Sequence, residues 1–228
     1  MAYAKFEKIS NNVAMAGGEV KASFIASVYK LLMANIMAAI VFGFIAFYTF
    51  PISRGLFYGL SFGALGVLLL APFIAKTKGA NLVMFFIYAL LEGGMLGIAA
   101  KIYVAAGLGI IFLQAAILTT LVFGGLTAFA HISKKDFSFL GSFLFVAVLL
   151  LLGAGIMAIF FRSHMFHLIV ASAGVAIFSM FILFDTSRII HRAQEGEEVF
   201  AAWMLFIDVI ALFWYILWLL SLLSGGDN

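Results

Sequence analysis

Seven apolar runs of about twenty residues constrain this chain more than any other feature. They lie at 31–49, 55–75, 80–100, 108–130, 139–161, 166–184 and 199–223. Each is long enough to cross the hydrocarbon core of a bilayer as an α-helix, at about 1.5 Å per residue. Helices satisfy their own backbone polar groups, so the pattern predicts an all-α integral membrane protein with seven transmembrane helices. Of the 228 residues, 66% are hydrophobic and 10% charged, against about 45–50% apolar in a soluble domain. No soluble domain is left over: the expected organisation is a polar tail at 1–30, a helical domain at 31–223 and a short tail at 224–228.

The basic residues set the orientation, because cytoplasmic loops carry the excess of Lys and Arg. One set of alternate connections holds Lys5, Lys8, Lys21, Lys30, Lys76, Lys78, Lys134, Lys135, Arg188 and Arg192. The other holds only Arg54, Lys101 and Arg162, which places the N-terminus in the cytoplasm and the C-terminus outside. These residues are scattered singly or in pairs instead of forming a stripe, so the net charge of +3 does not point to nucleic acid. There is no cysteine, which excludes disulfide and thiolate chemistry. The first apolar run follows a polar lead, and no small-residue cleavage site comes before Arg54, so it reads as a retained helix and not as a signal peptide.

Three acids fall where an acid is expensive. An ionised carboxylate at the centre of a spanning helix costs roughly 2.5–3.5 kcal/mol, and Glu92, Asp185 and Asp208 all lie in or against the spans. Asp185 and Asp208 sit on consecutive helices, equally far from the polar connection Gln194-Glu195-Gly196-Glu197-Glu198, so they belong at similar depth. Two facing carboxylates in a low dielectric cannot both ionise comfortably, and such a pair titrates as a unit. Asp185 also has Arg188 one turn later, in the favourable acid-first order. Asp208 has no such neighbour, because no Lys or Arg follows Arg192. The plainer reading is a protonated Asp208 that joins two helices by a hydrogen bond. Glu92 lies about twelve residues into the third run, roughly 18 Å along the helix. Gly93 and Gly94 thin the helix beside it, which suits either a wet crevice on a cation path or close packing.

Glycines repeat every four residues at Gly55, Gly59 and Gly63 and again at Gly93 and Gly97. Such repeats let backbones approach, within the bundle or between two copies. Other chemistries lack their parts. Intramembrane aspartyl proteases need Gly-x-Gly-Asp, whereas Asp208 follows Leu205-Phe206-Ile207. Gly59-Leu60-Ser61-Phe62-Gly63 has the spacing of a nucleophile elbow but falls inside a helix. His164 and His167 are too few ligands for a metal, and no lysine follows Lys135 to hold retinal. The expectation is therefore a protein without enzymatic activity and without a resident cofactor.

Three segments carry a resemblance. Lys134-Lys135-Asp136-Phe137-Ser138-Phe139-Leu140-Gly141-Ser142-Phe143-Leu144, Ile182-Leu183-Phe184-Asp185-Thr186-Ser187-Arg188-Ile189-Ile190-His191 and Leu205-Phe206-Ile207-Asp208 resemble the Bax inhibitor-1, or transmembrane BAX inhibitor motif, family. Leu91-Glu92-Gly93-Gly94 is similar to its bacterial branch, which implies a bacterial cytoplasmic membrane. The resemblance implies six helices in two layers around a central C-terminal seventh. It also implies a pH-dependent calcium leak in which Asp185 and Asp208 form the proton sensor. A basic latch at the cytoplasmic end of the second helix falls in the region of Lys76 and Lys78, where lysine lacks the forked geometry of arginine. The bacterial branch includes modulators of a membrane-anchored AAA protease, to which the lysine-bearing tail at 1–30 would be presented. One departure stands out: many members carry Tyr and Asn where this chain has Phe206 and Ala211, which removes hydrogen-bond partners from Asp208. The partners expected are thus the bilayer, the calcium ion and such a protease.

Overall fold

Lipid imposes helices, and helices are what the chain forms. A computed structural model describes residues 18–74, 77, 79–133, 135–192 and 196–225. In it the helices are α1 (Gly18–Thr49), α2 (Arg54–Ile74), α3 (Ala80–Ala105), α4 (Gly109–Ser133), α5 (Leu140–Phe160), α6 (His164–Arg192) and α7 (Glu198–Ser224). Each is long and apolar enough to cross a membrane, and the protein is an all-α membrane protein.

Two helices run well past their apolar runs. α1 begins at Gly18, so it takes up part of the segment expected as a tail. Its buried positions Phe24, Val28, Leu32, Asn35, Ala39 and Ala46 form one stripe spaced three, four or seven apart, and that stripe continues upstream of residue 31. α6 runs on through Asp185 and Arg188 to Arg192, so the polar motif is helical and not part of a loop. The turn that follows is made at Gly196, whose φ of 93° is left-handed and open to glycine without strain.

The chain divides into two compact units, residues 1–109 with 192–206 and residues 110–191 with 207–228. In the first unit α3 packs against both α1 and α2. The α1–α3 contact is backbone on backbone. A Cβ at Gly93 would stand 2.5 Å from the carbonyl oxygen of Ala39, and one at Gly97 would overlap that of Gly43. The glycine repeat of α2 is not such a seam. Among the described residues nothing comes within 4 Å of a Cβ at Gly59, and Gly63 meets only the Leu91 side chain. α2 instead reaches α3 through side chains, Leu60 resting on Gly94. The start of α7 completes this core, with Trp203 and Phe206 both in ring contact with Phe85 and Tyr88.

Lys101 closes one end of the unit. Its Nζ donates to the carbonyl of Phe50, just past the end of α1, at 2.8 Å, where the helix leaves carbonyls without intrahelical donors. Lys101→Met removes this charged donor and should lower stability by about 1.5–3 kcal/mol. Thermal unfolding in detergent followed by circular dichroism would show this as a lower Tm, and an unchanged Tm would show that the contact contributes nothing.

In the second unit α5 buries only Leu144, Ala147 and Leu151 among its large run of apolar side chains. That narrow stripe suffices because the remainder of the helix needs no polar face in lipid. α6 and α7 meet where the Tyr215 ring lies against Gly174 and stacks on Phe178 at 5.5 Å. His167 holds the end of α5, its Nε2 lying 2.8 Å from the Phe161 carbonyl and 3.1 Å from that of Ala158. One of the two histidines considered as metal ligands is therefore occupied in capping a helix.

Candidate functional site

Asp185 on α6 and Asp208 on α7 face each other within the second unit. Both are 3% exposed, and their carboxyl groups lie within hydrogen-bonding reach of one another. Among the described residues no donor reaches Oδ2 of either one. Two buried carboxyls side by side, each with an oxygen that meets no donor among the described residues, are an arrangement that one shared proton would satisfy. The equal spacing of the two acids from the α6–α7 turn therefore does bring them together.

Arg188 is the third member of the group. Its Nη1 lies 3.4 Å from Asp185 Oδ1, and its guanidinium sits 5.5 Å from the centre of the Phe184 ring. The side chain is nearly half exposed, whereas that of Asp185 is buried. The ion pair thus links a buried carboxyl to the edge of the unit. Asp208 has no cation partner among the described residues, and its polar neighbour is Asp185. One cation cannot balance two ionised carboxyls, so both acids ionised would leave an uncompensated negative charge in a low dielectric.

Two further residues of the motif are buried. The Thr186 hydroxyl has no hydrogen-bond partner among the described residues. Ser187 accepts the Phe137 backbone N–H at 2.8 Å. Sequence reasoning passed over Ser187, because a hydrogen bond to a residue fifty positions away leaves no local pattern.

Glu92 belongs to the first unit and is 6% exposed. The Tyr88 hydroxyl, one turn earlier on α3, donates to it. Asn35 lies in the same core, donating Nδ2 to the Phe85 carbonyl at 3.2 Å. Its Oδ1 and the Trp203 indole N–H are buried without a partner among the described residues. Glu92 is thus one of several polar groups in an otherwise apolar core, not a lone acid in contact with lipid.

Lys76 and Lys78, expected as the latch, lie outside the described residues. Ser61 donates to the Phe57 carbonyl at 2.8 Å inside α2, with no strand or turn before it, so the nucleophile-elbow spacing is incidental. No cluster of three or more His, Cys, Asp or Glu side chains able to hold a metal ion occurs among the described residues.

A family model described as "Inhibitor of apoptosis-promoting Bax1" matches residues 21–225. An uncharacterized membrane protein of Vibrio cholerae is 36% identical over 74% of this chain and 75% of its own. Protein lifeguard 4 of Mus musculus is 33% identical over 90% of this chain and 87% of its own. Bax inhibitor 1 of Schizosaccharomyces pombe is 33% identical over 97% of this chain and 84% of its own.

Proposed function

Because the chain belongs to the Bax inhibitor-1 family of membrane proteins, we propose that it is a proton-gated cation leak, with calcium as the ion and Asp185 and Asp208 as the gate. The observation that carries this reading is the buried acid pair whose Oδ2 atoms meet no donor among the described residues. Loss of a proton shared between them places two like charges in contact, and the repulsion separates α6 from α7 at that depth. Proton occupancy thereby becomes a choice between two packings, which is what a gate requires.

Calcium suits such a path because a hard cation takes oxygen ligands, and a leak needs them only in passing. Within the first unit by itself, Glu92 with Tyr88 offers oxygens of the same kind deep within a span. The distribution of Lys and Arg supports a cytoplasmic N-terminus in a bacterial inner membrane. The reading includes no catalysis and no resident cofactor.

The test is calcium flux into liposomes that hold the full chain, from about pH 5 to about pH 8. The natural protein should change its flux by roughly fivefold or more across that range. Asp208→Asn supplies a permanent amide donor in place of the proton, so its flux should be nearly flat. Coincident profiles would overturn the gate. Absence of flux from both would overturn the leak and favour modulation of a membrane-anchored AAA protease through residues 1–30. In that case deletion of residues 1–17, which leaves α1 whole, should abolish co-purification with the protease.

A further inference from the structure

We infer that Ser187 is a positioning residue that couples the α4–α5 loop to the acid pair, so that the state of the loop and the state of the pair bias one another. The inference rests on the proton-sharing reading above. Ser187 is fully buried and stands two residues after Asp185. Its hydroxyl accepts the Phe137 N–H at 2.8 Å and faces the Lys135 carbonyl at 3.5 Å, so both its acceptor and its donor are directed at the loop backbone. Within the loop Asp136 Oδ1 accepts the Ser138 N–H at 2.8 Å.

A second contact lies on the other side of Asp185. Phe184 touches the first turn of α5, where a Cβ at Gly141 would be 3.0 Å from its ring. The same ring also lies beside the Arg188 guanidinium, which pairs with Asp185. Asp185 is therefore bracketed by two contacts to one loop and the helix that leaves it. Moving the loop moves Phe184 and Ser187, and Arg188 and Asp185 go with them.

The other ionisable groups around Ser187 and the pair are few. His191 Nδ1 lies 3.4 Å from the Ser187 hydroxyl and 3.0 Å from its carbonyl. The loop contributes Lys135 and Asp136, α4 contributes His131 held at the Thr127 carbonyl, and α7 contributes Asp208. α5 carries no titratable side chain. His191 is the one that touches the coupling hydroxyl, so it requires its own control.

If the loop biases the pair, linkage requires the pair to bias the loop by the same free energy. The chain has no cysteine, so Lys135→Cys carries a single nitroxide label on an exposed position. In liposomes, label mobility reports the loop, and the infrared carboxylic-acid band lost in Asp208→Asn reports the pair. Both should change with one midpoint. Ser187→Ala should move that midpoint by about half a pH unit, roughly threefold in proton affinity, and should free the label at every pH. Ser187→Thr, which keeps the hydroxyl, should restore the midpoint, and His191→Gln should leave it in place.

An unmoved midpoint in Ser187→Ala would overturn the inference while leaving the acid pair intact. The absence of any titrating band in the natural protein would overturn the acid pair itself. Should Ser187→Ala fail to fold, the reciprocal arm decides. The label must lose its pH response in Asp208→Asn, and a response that persists there overturns the coupling.

Discussion

Gly97→Val should abolish the folded protein, whereas Gly59→Val, the same change in the neighbouring glycine repeat, should be tolerated. A Cβ at Gly97 would overlap the carbonyl oxygen of Gly43 and stand 2.8 Å from Ala46 Cβ and 3.0 Å from the Phe47 nitrogen. Two of those three neighbours are backbone atoms, which cannot swing aside as a long side chain would. Overpacking that side chains absorb costs about 1–3 kcal/mol. Here the α1–α3 seam itself must open, so the loss should exceed about 3 kcal/mol. A Cβ at Gly59 meets nothing within 4 Å among the described residues. Yield of monodisperse protein in detergent, together with equilibrium unfolding, would separate the two variants. Equal tolerance of both would mean that the α1–α3 contact is looser than these distances state.

That contrast shows what the sequence could and could not disclose. The number of helices was legible because lipid demands length and apolarity, and nothing else in the chain mimics runs such as 139–161. Their ends were less so: α1 and α6 continue past the apolar core, where Lys21 or Arg188 gives no signal that the helix has stopped. Which face of a helix meets protein was hidden, since lipid and core are equally apolar and the buried stripe of α5 differs from its exposed side only in position. The two glycine repeats have identical spacing, and only the fold reveals that one meets a backbone and the other does not. The acid pair was legible from a symmetry, equal distance from one turn, and Arg188 from helical spacing. Ser187 had neither kind of signal.

The pair and its single cation also account for an asymmetry that spacing alone could not give. Among the described residues Asp185 has two partners, Asp208 and Arg188, while Asp208 has only Asp185. The two acids share one arrangement but differ in what each loses when the other is removed.

Asp185→Val should therefore be the most damaging change in the second unit, and adding Asp208→Val should repair it. Removing Asp185 strands a fully enclosed carboxyl with no cation and no acceptor for its proton, and breaking a buried pair in this way costs about 3–5 kcal/mol. Asp208→Val strands less, because Asp185 keeps Arg188 at 3.4 Å. The double variant leaves only an apolar contact between α6 and α7, with volume close to the original. Such replacements of buried polar pairs come out neutral or stabilising, so it should return to within about 1 kcal/mol of the natural protein. The coupling between the two substitutions should then be large and of restoring sign. Equilibrium unfolding of the four proteins in mixed micelles measures it directly. A double variant as unstable as the sum of the singles would mean that the pair is kept for holding the helices together. Recovered stability with a flat calcium-flux profile would mean that a less stable arrangement is retained because it can exchange a proton.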